Sequence, residues 1–350
     1  MQSRLKKFLL FLSDHRCDAY LVTKDVNVSY LTGTPLSEGW LFVSPKKTFY
    51  LTDARYAREA QKALRGIPVC LTTGKRSAFD VLHDLTRRLR AKRIGIDPRH
   101  CSLALYRKLK KSAPGGRVRF ISRPGLVERL RVIKTPDELK RIRRAIALNQ
   151  RAFGYLRRVI KPGMTEKEAF FRLEAYVRRL GAGFSFDPII ASGPNGAFPH
   201  ARITDRRMRS AESVLVDMGI DVEGYKSDLT RMFFLGKIPA LIREMTEIVR
   251  DSKNRAIEKI RPGIFARDID QQARNYLDKK GLGRFFSHAL GHGVGLEIHE
   301  APKISRQSAV VLEPGMVFTV EPAVYLPGRF GIRLEDMVLV TKRGHEVLSG

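Results

Sequence analysis

Cysteine is scarce: Cys17, Cys70 and Cys101 are the only three in 350 residues, odd in number and far apart. No C-x-x-C pair suggests a zinc or redox motif, and a chain of this length buries an adequate core without a disulfide framework. Long apolar runs are missing too, since none reaches the ~18 residues that span a bilayer. The start places a basic flank before an apolar stretch, but the run Phe8–Leu12 is five residues long and leads into Ser13-Asp14-His15-Arg16. That lacks the length and the small-residue cleavage site of a signal peptide. Leu5, Phe8, Leu9 and Leu12 fall on one helical face, which predicts an amphipathic N-terminal helix in a cytoplasmic protein with no membrane partner. There is no low-complexity segment and no repeat of fixed period.

Acidic charge is the other scarcity. Lys+Arg number 65 against 36 Asp+Glu, a formal net charge of +29. Residues 1–136 hold 29 basic and 10 acidic groups, net +19, and residues 137–350 hold 36 and 26, net +10. Such a surface attracts nucleic acid, acidic lipid or acidic peptides. The charge is scattered and forms no tail, so a general basic bias accounts for it and a nucleic-acid partner is not expected. Hydrophobic residues at 43% and charged residues at 29% describe globular material.

The first 130 residues alternate two kinds of segment. Asp18–Thr23, Trp40–Ser44, Thr48–Thr52 and Arg93–Ile96 read as strands, and Arg55–Leu64, Ala78–Leu89 and Leu103–Leu109 as helices, which predicts an α/β layer domain. Near 132–136 the chain changes character. Thr135 reads as a helix cap, with Pro136 at the first helical position and Glu138 three residues after the cap. Helices are predicted over 137–160 and 165–180, strands over 213–220 and 229–235, helices over 240–260 and 266–279, and a β-rich stretch over about 308–341. Helices and mostly antiparallel strands grouped in blocks predict an α+β second part.

The chemistry concentrates in residues 200–335. Val214-Leu-Val-Asp217 is a buried-type strand ending in a carboxylate, and Asp228 follows eleven positions later at the start of the next strand. A hairpin turn over Asp221–Lys226 would bring the two acids together, where they repel unless a cation intervenes. Solvated turn acids are the plain alternative. His288, His292 and His299 are three histidines within twelve residues, and glycines flank His292 so that the backbone packs closely there. A phosphate loop is the competing reading, but Gly291-x-Gly293-x-Gly295 lacks the G-x-G-x-x-G spacing. Glu321 ends the apolar strand Val317–Val320. Glu335 is predicted mid-strand among apolar residues, with Arg333 on the same strand face. A buried Glu needs a metal or an arginine, so an Arg333–Glu335 pair bracing a sheet stands as the structural alternative. Two Asp, one His and two Glu form an oxygen-rich ligand set that favours Mn-like or Mg-like ions over a closed zinc site. Bridging carboxylates of this kind hold two ions about 3.5–4 Å apart, and hydrolysis by an activated water is the natural chemistry.

On these motifs the chain resembles the metallopeptidase family of aminopeptidase P and prolidase. The resemblance extends to Leu51-Thr-Asp53-Ala-Arg55-Tyr56 and to Ile133-Lys-Thr-Pro-Asp-Glu138, and covers essentially the whole chain. It implies an α+β pita-bread catalytic domain over 133–350, preceded by a smaller α/β creatinase-type N-terminal domain over 1–132. By the same resemblance Asp217 chelates one metal ion, Asp228 and Glu335 bridge two, and His292 and Glu321 complete the second ion's shell. Ala191-Ser-Gly-Pro-Asn-Gly-Ala-Phe-Pro-His200 matches the segment presenting one substrate-contacting histidine, and His299 matches the second. Arg333 matches the arginine beside the last ligand, and His288 lines the same pocket. The implied cofactor is a pair of divalent ions, Mn²⁺ with Co²⁺ able to substitute. The implied activity is hydrolysis of the Xaa-Pro bond at a peptide N-terminus, with Glu321 shuttling a proton to the prolyl nitrogen and a homodimer as the expected assembly. Aminopeptidase P takes longer chains and prolidase takes dipeptides. The basic N-terminal part leans the expectation to the aminopeptidase, with Xaa-Pro dipeptidase as the alternative. Methionine aminopeptidase shares the ligand types, but the upstream domain and the fourteen-residue separation of Glu321 and Glu335 oppose it. A non-catalytic binding protein on the same fold is the remaining alternative, and an intact ligand set opposes it.

Overall fold

The apolar stripe near the start forms the helix its spacing predicts. In α1 (Gln2–Asp14), Phe8 and Leu12 are fully buried, and Phe8 meets Tyr20 edge-on with ring centroids 5.3 Å apart. The computed structural model describes residues 2–113 and 117–350. Among these the chain divides into two compact units, Met1–Arg131 and Val132–Gly350.

In the first unit, β1 (Ala19–Val22), β2 (Gly39–Val43), β3 (Phe49–Asp53), β4 (Val69–Thr72), β5 (Arg93–Ile96) and β6 (Arg119–Ser122) form one sheet in the order β4-β3-β2-β1-β5-β6. Strand β2 runs antiparallel to β1 and β3, and the remaining pairings are parallel. Side chains alternate across the sheet: Ala19 and Leu21 join Phe42, Leu51, Leu82 and Ile94 in one core, while Tyr20 turns to the α1 side. Four elements exceed the expectation: α2 (Asp25–Thr32), β4, β6 and α6 (Leu126–Val132). Helix α2 is poor in helix formers and has no side-chain cap, so its periodic signal is weak; burial of Val28, Tyr30 and Leu31 holds it. Helices α3 (Ala54–Ala63), α4 (Ala78–Leu89) and α5 (Leu103–Lys111) lie where periodicity predicts them.

The second unit opens with α7 (Pro136–Val159) and α8 (Glu166–Arg179), each started by a reciprocal capping box, Thr135 with Glu138 and Thr165 with Glu168. Short strands β7 (Gly183–Phe184) and β8 (Ile189–Ser192) lead to β9 (Glu212–Met218), β10 (Ile220–Val222), β11 (Tyr225–Lys226) and β12 (Leu229–Leu235). Helices α9 (Ala240–Glu258) and α10 (Ala266–Lys279) follow, then β13 (Gly291–Gly293), β14 (Glu300–Ile304), β15 (Val317–Val320), β16 (Ala323–Leu326), β17 (Phe330–Arg333), β18 (Asp336–Val340) and β19 (His345–Val347). Strands order as β12-β9-β8 and β14-β13-β15-β18-β19, with smaller sheets β11-β10-β7 and β16-β17, all antiparallel.

Alternation along the strands feeds two cores. Val214, Val216, Met337 and Leu339 pack with Ile142, Ala145 and Leu173 of the first helix pair. Leu215, Phe318, Val338 and Val340 pack with Val249 and Ala273 of the second. The central strands are thus buried on both faces between two helix pairs, and a cavity opens where their ends meet.

Two expectations are corrected. The final β-rich stretch does not begin at 308: β14 ends at Ile304 and the next strand starts at Val317. Glu335 is not mid-strand either. It lies between β17 and β18, where the chain leaves the two-stranded sheet for the five-stranded one. A continuous apolar pattern does not reveal such a change of sheet, because both strands are buried.

Candidate metal centre

Asp217 stands opposite Thr230 in the β9–β12 ladder, and Asp228 immediately precedes β12, so the hairpin carries both acids to one end. His292 lies in β13 at a register irregularity against β14. Side chains at Gly291 and Gly293 would run into the carbonyls of Thr319 and Ala301, so the flanking glycines permit the close backbone approach that the sequence implies. Glu321 directly follows β15 and Glu335 directly precedes β18. These five residues, with His200, His288, His299 and Arg333, all line one cavity of about 1050 Å³.

Within it, His292 Nε2 lies 3.4 Å from both Asp228 Oδ2 and Glu321 Oε1. One ligand atom each from Asp228, His292 and Glu335 falls within 4.8 Å of the others. Threonine hydroxyls orient the acids: Thr230 Oγ1 donates to Glu335 Oε2 at 2.7 Å and Thr319 Oγ1 to Glu321 Oε1 at 3.1 Å. Arg333 pairs with Asp217 at 2.6 Å, and no Arg333–Glu335 ion pair forms among the described residues. The sheet-bracing pair is thereby overturned: Arg333 Nη2 is taken by Asp217, and Arg333 and Glu335 meet only through the Thr230 hydroxyl between them. Arg333 also donates to Tyr325 Oη at 2.6 Å, Thr230 Oγ1 at 3.1 Å and the Pro199 carbonyl at 3.1 Å. Tyr325 Oη in turn lies 3.1 Å from His288 Nε2.

Burial dominates the electrostatics. It pushes the Asp228 and Glu335 carboxyls well above the usual range, and the neighbouring carboxylates add to the shift. Glu321 rises to about 8 from burial, opposed by Arg333. Burial lowers His292 and His288 to about 4, with His299 adding to the shift at His292; burial and then His200 lower His299. Neutral imidazoles are the form that ligates metal, while crowded carboxyls that resist ionisation are short of a cation. The donor set passes the same test: four carboxyl groups surround one buried guanidinium, and Asp217 Oδ1 is buried with no hydrogen-bond partner. These residues fit divalent metal ions.

A second acid–histidine group, Asp97, His100 and Glu128 in the first unit, does not fit. Arg99 occupies both oxygens of Asp97 and lies 3.2 Å from Glu128, so the charge is already compensated.

Sequence reasoning missed Thr230, Thr319 and Tyr325, which orient the acids and Arg333. Thr230 carried a faint signal, standing two residues after Asp228; Tyr325 carried none. It also missed the cavity's apolar wall, which includes Phe170, Phe171, Phe186, Ile203 and Ile298, and its basic residues Lys167, Arg202 and Lys303. Lys303 is the cross-strand neighbour of His292, a register that only the folded ladder reveals.

The model for metallopeptidase family M24 matches residues 140–342, and that for the creatinase/prolidase N-terminal domain matches residues 4–133. The chain is 34% identical over 352 residues to the Xaa-Pro dipeptidase of Pyrococcus furiosus, covering 100% of this chain and 98% of that one. Among solved structures it is similar to an Xaa-Pro dipeptidase from Bacillus anthracis, with TM-score 0.95, 33% identity and coverage of 99% and 97%. An X-Pro aminopeptidase from Thermotoga maritima gives TM-score 0.90, 32% identity and coverage of 99% and 97%.

Proposed function

This chain belongs to metallopeptidase family M24, with a creatinase-type N-terminal domain ahead of a pita-bread catalytic fold, and from that premise we propose that it cleaves the peptide bond preceding a proline in second position. The observation that carries the reading is the convergence of four carboxyl groups and a neutral histidine on one cavity with a single buried arginine. The names of the similar dipeptidases and aminopeptidase supply the Xaa-Pro bond.

In this reading Asp217, Asp228, His292, Glu321 and Glu335 hold two divalent ions, Mn²⁺ with Co²⁺ able to replace it. Of the four ligand carboxyls, Asp217 alone pairs with an arginine among the described residues, Arg333. Bound there, the ions supply Lewis acidity and water activated at neutral pH. The protein's own residues do the rest. Glu321 moves a proton to the prolyl nitrogen, which has no N–H and leaves poorly without one. His200 and His299 dock the substrate and stabilise charge developing on its carbonyl oxygen. Arg333 holds Asp217, and Tyr325 ties Arg333 to His288. The domain assignment follows: residues 1–132 as the creatinase-type domain and 133–350 as the catalytic domain. The three free cysteines suit a reducing compartment, so the reading is a cytoplasmic enzyme, and a homodimer by the prevalence of two-fold assemblies. A second reading, Xaa-Pro dipeptidase, is favoured by the names of the Pyrococcus and Bacillus relatives.

The test is hydrolysis of Xaa-Pro and Xaa-Pro-Yaa peptides side by side, after chelation and after Mn²⁺ is restored. Cleavage of the tripeptide after its first residue supports the aminopeptidase, and cleavage of the dipeptide alone supports the dipeptidase. Failure with both, metal being bound, refutes the Xaa-Pro assignment.

A further inference from the structure

His200 stands beyond a short 3₁₀ turn, Gly193–Ala197, in a segment with no strand or helix around it. One side chain outside the cavity holds both ends of that segment. Glu166, the first residue of α8, is fully buried. Its Oε1 accepts from the Ser192 amide at 2.7 Å and from Ser192 Oγ at 2.9 Å. Its Oε2 accepts from Asn195 Nδ2 at 2.8 Å, the Thr204 amide at 3.0 Å and Thr204 Oγ1 at 2.7 Å. Arg206 sets the direction of both hydroxyls: Nη1 donates to Ser192 Oγ at 2.6 Å and its amide donates to Thr204 Oγ1 at 3.2 Å. Each hydroxyl proton is therefore left for Glu166. All five neighbours are donors, and only a carboxylate offers acceptors at both oxygens. At the other side of the segment, the Pro199 carbonyl accepts from Arg333, the residue that holds Asp217.

We propose that Glu166 is a positioning residue. It fixes residues 192–204 so that Pro199 and His200 meet the cavity in register with Arg333, and it acts through His200, not through the metal ligands. The proposal rests on the reading of His200 as a substrate-contacting group.

Glu166→Gln tests it, because the side chain keeps its shape while one oxygen becomes an NH₂ facing donors. The expected result is a kcat lower by about tenfold or more, yet in a His200→Ala background the same substitution changes kcat by less than about twofold, the signature of two residues acting as one unit. Mn²⁺ binding by calorimetry stays unchanged. Without substrate, the ¹H–¹⁵N ring signals of His200, identified by their loss in His200→Ala, shift or broaden in Glu166→Gln, while those of His345, bonded to the Ile260 carbonyl, stay put. Thr204→Val removes one of the five donors and gives a smaller loss in the same direction; it carries the same readouts if the glutamine variant does not fold. Losses that multiply in the double variant, weakened Mn²⁺ binding, or unchanged kcat and His200 signals would overturn the proposal. If the wild type cleaves no Xaa-Pro peptide, the functional reading fails while the ring spectra still decide the role of Glu166.

Discussion

Glu335 is 1% exposed, its oxygen takes a hydrogen bond from Thr230, and its carboxyl is pushed up by burial and by its acidic neighbours. A group so placed serves the fold poorly without a cation, so removing it should harm activity far more than stability. Glu335→Ala is expected to lower kcat/KM by about a thousandfold, several kcal/mol of transition-state stabilisation. Metal content, measured by mass spectrometry after dialysis, should fall below two ions per chain. Arg333 is the opposite case. It compensates Asp217 and makes four hydrogen bonds from a buried position. Arg333→Met strands a carboxylate, and the metal-free protein should lose about 3–5 kcal/mol in urea unfolding. The acids and the histidine cluster could be picked from the sequence because their chemistry is rare in apolar company, whereas His200, and the roles of His299 and Arg333, came only from the family resemblance. The threonines and the tyrosine that aim them could not, because a hydroxyl is ordinary in any strand.

At the scale of elements, the cavity depends on strands that approach more closely than side chains allow. A methyl at Gly291 would strike the Thr319 carbonyl of the adjacent chain segment. Gly291→Ala should push β13 from β15, displace His292, and abolish metal-dependent activity while circular dichroism shows helices retained. Helix starts behave more locally. Thr135→Ala removes one reciprocal cap of α7, and denaturation should report a loss of about 1 kcal/mol with metal binding intact. The capping box of α7 was legible, because the Thr-x-x-Glu spacing is itself the mechanism, and α8 starts on the same spacing, Thr165 to Glu168. Helix α2 and strand β6 were not: the first is held by burial and not by propensity, and the second is a sheet-edge strand with no fully buried residue.

For the whole molecule, metal and stability are linked through the carboxyl cluster, which titrates as a unit. Between pH 6.5 and 8, His288 and His292, lowered to about 4, are neutral in the folded chain. Glu321, raised to about 8, still holds its proton there, whereas an unfolded glutamate has lost it. At pH 6.5 the same two histidines still hold about half a proton each in the unfolded chain, which offsets Glu321. Above about pH 7 the folded metal-free protein binds more protons, so its stability falls from pH 7 to pH 8, by about 1 kcal/mol for one such group. Calorimetry of metal-stripped protein should show the melting temperature dropping from pH 7 to pH 8. Saturating Mn²⁺ should raise it and remove that slope, and Glu321→Gln should flatten it without metal. A slope of opposite sign would contradict the cluster's electrostatics.

The sequence alone determined the order and types of the metal-ligand candidates, the capped helix starts and the alternation of buried strands, because each is a local pattern whose chemistry travels with its residues. Only the tertiary structure decided which charges pair. Arg333 pairs with Asp217 from 116 residues away and reaches Glu335, two residues on, only through the hydroxyl of Thr230, which folding sets between them. It also decided that Glu166 sits behind His200, since five donors are gathered by folding from residues 26 to 38 positions away. Burial, which sets every perturbed carboxyl and imidazole in the cavity, is a property of the packed core and of no single stretch of chain.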